Sequence, residues 1–116
     1  MPITANYLFM ASMDVEPEKE ALFHEVYDTE HVPYLLEVPG VLSVTRIEGE
    51  PFALKIAGET REVPREGARF TAIYEIESPD VLLSDAWAEA VERGRWAEEV
   101  RPYTSNRRHT LSRVQR

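Results

Sequence analysis

The stretch 5–15 constrains the fold most, because Tyr7, Phe9, Ala11 and Met13 alternate with Leu8, Met10 and Ser12, which makes both phases of a period-two pattern largely apolar. A strand that shows apolar side chains on both faces needs cover on both. Helices packed on one side of its sheet would leave the other face in search of a partner surface.

The segments that follow supply the helices. Asp14-Val15-Glu16-Pro17-Glu18 is a helix start, with acidic residues at the positive end and a proline where a first-turn N–H is dispensable. The helix is predicted from about residue 17 toward residue 30, with Leu22, Phe23, Val26 and Tyr27 near the 3.6-residue period. Pro33 removes a ladder hydrogen bond, so the segment either kinks there or restarts as a short turn carrying Tyr34, Leu35 and Leu36. Pro39-Gly40 stops it. A second helix spans Val81, Leu82, Ala86, Trp87, Ala90 and Val91, capped by Ser78 or Asp80 and broken by Gly94, with a further helical turn over residues 95–101.

Three more strands are predicted, over residues 41–48, 68–76 and 105–114, the third strand placing Phe70, Ala72, Tyr74 and Ile76 on one phase. Between residues 49 and 67, Phe52, Leu54 and Ile56 alternate before Gly58, which reads as an extended excursion or hairpin. The order strand, helix, strand, strand, helix, strand predicts an α+β ferredoxin-like β-α-β-β-α-β sandwich, an antiparallel sheet with both helices on one face. A length of 116 residues leaves room for a single domain, 1–116. The second apolar phase predicts face-to-face homodimerisation, and a partner subunit would also help a small domain enclose a ligand.

Charge narrows the function classes. A net charge of -8, from 21 acidic and 13 basic side chains, argues against nucleic acid and against anionic membranes as partners. No apolar run approaches the length of a membrane span or forms a signal segment, so a cytoplasmic protein is expected. Cysteine is absent, which excludes disulfides, thiolate metal sites and cysteine nucleophiles. Arg101, Arg107, Arg108, Arg113 and Arg116 nevertheless collect around His109 near the C-terminus. On an edge strand such arginines serve solubility and surface ion pairs, with an anion-holding role as the alternative.

Proton-transfer chemistry clusters in Tyr27-Asp28-Thr29-Glu30-His31-Val32-Pro33-Tyr34. On an α-helix Tyr27 and His31 are four apart and Asp28 and His31 three apart, both neighbouring positions. His31 is the candidate for proton transfer, Asp28 for orienting its ring, and Tyr27 or Tyr34 for hydrogen bonding to a carbonyl or developing enolate. Phe23, Arg46, Tyr74 and His109 are candidate substrate-binding residues around this centre. The plain structural alternative has Tyr27 packing on the sheet, Asp28 in solvent, His31 capping carbonyls and Arg46 in a surface ion pair. His24, Asp28 and His31 offer a weaker divalent-ion arrangement without an established zinc spacing, so no metal and no cofactor is assigned. Trp87 and Trp96 read as core or interface groups.

The run from Tyr27 to Pro33, followed by Pro39-Gly40-Val41, resembles the first helix and second-strand entrance of EthD-like members of the dimeric α/β-barrel superfamily. The distinctive match covers residues 27–41, and the expected element order extends it to the whole chain. The resemblance implies two ferredoxin-like sheets associating into a barrel, and makes His31 the first residue to test, with Asp28 beside it and Tyr27 or Tyr34 in the pocket. Relatives include lactone isomerases, polyketide cyclases and decarboxylases. The expected function is therefore a cofactor-independent lyase, cyclase or isomerase acting by acid-base chemistry on a small cyclic, aromatic or polyketide-like carbonyl compound. A non-catalytic dimeric ligand-binding or stress-associated protein is one alternative. A haem- or oxygen-dependent monooxygenase, also known in the superfamily, is the other.

Overall fold

The computed structural model describes residues 3–116. Strand β1 is Tyr7–Val15, and a short 3-10 turn at Pro17–Lys19 leads into helix α1, Glu20–Val26. A π-helical turn at Tyr27–His31 joins α1 to α2, Val32–Leu36. Strand β2 (Val41–Glu48) is followed by a hairpin of β3 (Phe52–Ile56) and β4 (Glu59–Val63), and then by β5, Phe70–Ile76. A 3-10 segment at Pro79–Leu83 precedes α3, Asp85–Ala90, and a second π-helical turn at Trp96–Val100 precedes β6, Thr104–Arg113.

Four strands form one antiparallel sheet in the order β2-β5-β1-β6, the ferredoxin-like arrangement that the element order predicts. β1 lies inside the sheet, paired with β5 on one side and β6 on the other. Strand β5 shows the one-sided cover directly, with Phe70, Ala72, Tyr74 and Ile76 buried and the residues between them only half-buried. In register with them, Ala11 and Met13 join the core under the helices, while Leu8, Met10 and Ile73 take the opposite phase and stay half-buried outside it. Phe23, Val26, Tyr27 and Leu35 from the first helical segment and Trp96 and Val100 from the second close the core from above. Complete burial of a side chain such as Leu35 contributes about 2 kcal/mol.

The excursion at 49–67 is a hairpin, as one of its two readings anticipated, and it stands away from the core. Phe52 and Ile56 are 55% and 53% exposed. None of its residues lines the cavity described below.

The helices differ from expectation in continuity. The second is not one helix: the Ser84 side chain accepts from the Trp87 N–H at 3.1 Å and caps α3 afresh, while Ser78 caps the preceding 3-10 segment. The first does not stop at residue 30. Pro33 has no N–H to continue an α-helical ladder, yet it sits in the first turn of α2, where none is required. The register is handed across by the π-helical turn, in which the Val32 N–H reaches the Tyr27 carbonyl and the Thr29 hydroxyl donates to the Glu25 carbonyl at 2.6 Å.

Candidate functional site

A cavity of about 360 Å³ lies between the helices and the sheet. Its floor comes from Phe9, Ala11 and Met13 on β1, Tyr74 on β5, and Arg107 and His109 on β6. Its walls come from Tyr27, His31 and Leu35 on one side and Leu82, Trp87, Val91, Trp96 and Arg101 on the other. The size falls within the range of small-ligand sites.

Each π-helical turn contributes one ring of a stacked pair. His31 and Trp96 lie 4.3 Å apart between centroids at 22°, and Tyr27 meets His31 edge-on at 5.0 Å. His31 is 5% exposed, and its Nδ1 is buried with no hydrogen-bond partner among the described residues. Burial, reinforced by the nearby Arg101 and Arg107 charges, pushes its pKa down to about 4, with Glu92 opposing. His31 is therefore a neutral imidazole at pH 7.

Tyr27 and Tyr74 are both buried, and their hydroxyls are 3.3 Å apart. Burial raises both pKa values, and the Tyr27 hydroxyl raises that of Tyr74 further, so both phenols keep their protons. Two O–H donors share one mutual bond. The phenol that accepts retains a proton for a ligand oxygen.

The geometry sorts the sequence candidates. His31, Tyr27, Tyr74 and His109 share the cavity. Phe23 and Arg46 lie instead around a small void on the other side of Tyr27, which has no room for a water molecule. The expected Asp28–His31 pairing is not formed. Asp28 is exposed and accepts from Arg46 Nη1 at 2.7 Å, while Arg46 Nη2 meets His24 Nδ1 at 2.8 Å. Arg46 thus takes the surface ion-pair role, its guanidinium 4.6 Å from the centre of the Tyr27 ring. The π-helical turn explains Asp28: with more than four residues to the turn, Tyr27 and His31 stay near one another while residues three apart diverge. Tyr34 also turns away and lies under Arg93, with 4.0 Å between guanidinium and ring centre. His24 and His31 face different neighbours, and among the described residues no three His, Asp or Glu side chains converge as a metal site.

Trp96 was read as a core or interface group, and Arg101 and Arg107 as surface arginines with an anion-holding role as the alternative. Trp96 comes from a segment with no local marker of chemistry, while Arg101 belonged to the arginine cluster around His109. Arg107 had a local marker, since on a strand it shares the phase of His109. His109 lies flat against Phe9 at 5.6 Å, and partial burial together with Arg107 lowers its pKa.

No family model and no curated protein sequence matches the chain. Solved structures do match it in fold. An EthD family protein from Bacillus halodurans C-125 aligns at a TM-score of 0.57 and 12% identity, over 94% of this chain and 99% of that one. A MhuD mutant with two manganese protoporphyrin IX molecules bound per active site aligns at 0.57 and 14% identity, over 93% of each chain. MhuD from Mycobacterium tuberculosis, with two hemes bound in its active site, aligns at 0.55 and 14% identity, over 93% of this chain and 94% of that one. The ferredoxin-like fold expected from the element order is thus shared with an EthD family protein and with MhuD. Among the described residues no helix is long and apolar enough to cross a membrane.

Proposed function

We propose that this chain is a cofactor-independent acid-base enzyme, a lyase, cyclase or isomerase, acting on a small cyclic, aromatic or polyketide-like carbonyl compound and working as a homodimer. The observation that carries the proposal is a buried, neutral His31 on a cavity walled mainly by aliphatic and aromatic side chains, beside a phenol pair with a proton to spare. The substrate carbonyl oxygen accepts that phenolic O–H from the Tyr27–Tyr74 pair. The neutral imidazole of His31 takes a proton from the carbon next to the carbonyl: the C–H bond breaks, an N–H bond forms, and the electron pair moves to oxygen. Return of the proton to another carbon, or loss of a leaving group, completes an isomerisation or an elimination. A placed base supplies about 10²–10⁴ in rate and an oxyanion donor about 10²–10³.

Solvent-deuterium exchange tests this directly. Cyclic ketones and lactones incubated with the protein in D₂O are expected to gain deuterium beside the carbonyl, and His31→Asn is expected to abolish the gain. Exchange no faster than in buffer, or exchange retained in His31→Asn, refutes the reading.

One observation favours a non-catalytic dimeric ligand-binding or stress-associated protein as the second reading. His31 has no carboxylate to orient it, because Asp28 is held by Arg46. A haem-dependent role is less well matched. The groups on the cavity of the kind that hold haem iron are His31, His109, Tyr27 and Tyr74. The two phenols bond each other and His109 lies flat on Phe9, which leaves His31 as the one of the four free to meet an iron.

A further inference from the structure

The cavity is walled mainly by aliphatic and aromatic side chains and opens to solvent beside the exposed Arg107 and His109, so that two arginines line it in a chain of net charge -8. They differ in what they already hold. Arg101 gives Nη1 and Nη2 to the Glu92 carboxylate at 3.0 and 2.6 Å, and Nη2 also to the Val91 carbonyl at 2.8 Å. Its Nε–H is buried with no partner among the described residues. A buried donor of this kind costs stability until something accepts from it. Arg107 has no ion-pair partner among the described residues.

Charge balance follows from these contacts. Arg101 and Glu92 neutralise one another, so Arg107, exposed at the edge of the cavity, carries its one uncompensated positive charge. We propose that the ligand is a monoanion, an aromatic or conjugated cyclic carboxylate, whose carboxylate is held by Arg107 at the cavity edge. Its ring packs among Phe9, Leu82 and Trp87. The inference rests on reading the cavity as the substrate site and adds the class of compound that enters it. A single free charge suits a carboxylate better than a dianionic phosphate. The planar guanidinium suits it too, since it offers paired N–H donors to carboxylate oxygens. The carboxylate would also offset the Arg101 and Arg107 charges that bear on His31.

Binding of two isosteric probes tests the proposal without any turnover. 2-Naphthoate and the neutral 2-acetylnaphthalene are titrated against the full chain, with quenching of Trp87 and Trp96 fluorescence as the readout. Naphthoate is expected to bind at least tenfold more tightly. Arg107→Met is expected to erase that preference while keeping the wild-type unfolding midpoint. Glu92→Gln, which frees Arg101 and raises the cavity charge, is expected to improve binding of 2,6-naphthalenedicarboxylate. Equal affinity for the two probes, no binding of either, or a naphthoate preference that survives Arg107→Met overturns the proposal. The acid-base reading fails separately: deuterium exchange retained in His31→Asn would remove His31 as the base and leave the carboxylate preference standing.

Discussion

Acid should unfold this protein through His31 before the carboxylates take over. The imidazole is surrounded by Tyr27 on its own turn, by Glu92, Trp96 and Arg101 from the second helical segment, and by Arg107 from β6. Its pKa is lowered from 6.5 to about 4, so the unfolded chain protonates His31 first as pH falls. Between those two values the unfolded state binds the extra proton. Stability therefore rises with pH across this window and is lost as pH falls through it. Full protonation would remove about 3 kcal/mol, of which about 2 kcal/mol falls between pH 7 and pH 5. Below about pH 4 both states carry the proton and this contribution changes no further.

His31→Asn isolates the effect, because the amide does not titrate. The variant loses the stacking on Trp96 at every pH, so the diagnostic is the slope and not the level. With a urea m-value of about 2 kcal/mol/M, the wild-type midpoint should fall by about 1 M more than that of His31→Asn between pH 7 and pH 5. Asp14, Glu30 and Glu75 have lowered pKa values from hydrogen bonds kept in both chains, so their contributions cancel in the comparison. Parallel loss of stability in the two chains, or a His31 NMR titration near the ordinary histidine value, would refute the account of His31 as a buried, cation-flanked imidazole.

Other substitutions separate the parts of the site. Asp28→Asn breaks an exposed ion pair with Arg46 and is expected to shift stability by less than about 1 kcal/mol in urea unfolding, with deuterium exchange unchanged. Tyr27→Phe and Tyr74→Phe each leave one phenol without its partner. Each is expected to slow exchange by about 100-fold, with the double variant little worse, because the pair acts as one donor. Met10→Lys places a charge on the sheet face opposite the helices and is expected to turn the proposed dimer into monomer by light scattering, with the cavity residues undisturbed.

The sheet was legible because its signals are local. Alternation depends only on neighbours two apart, so β1, β2 and β5 could be placed from their own residues, and β6 begins and ends one residue earlier than expected. The burial of Tyr74 follows from the same phase argument, as does the pairing of His109 with Arg107 on one face of β6. The helices were harder, because their continuity is decided by single hydrogen bonds. Ser84 takes the Trp87 N–H and splits what the 3.6 period reads as one helix.

At Pro33 the sequence shows that an α-helical bond must be missing but not how the chain compensates. Ending the helix at residue 30 and passing through a π-helical turn answer the same deficit and aim side chains differently. The turn that forms keeps Tyr27 against His31, sends Asp28 outward to Arg46, and carries Tyr34 to Arg93. One missing N–H thus separates a carboxylate-supported histidine from an unsupported one resting on Trp96, 65 positions further along. It also moves the charge that acts on His31 from a helix neighbour to Arg101 and Arg107. In the proposed reaction, a histidine flanked by cations and without a carboxylate of its own gains basicity when the ligand supplies the anion.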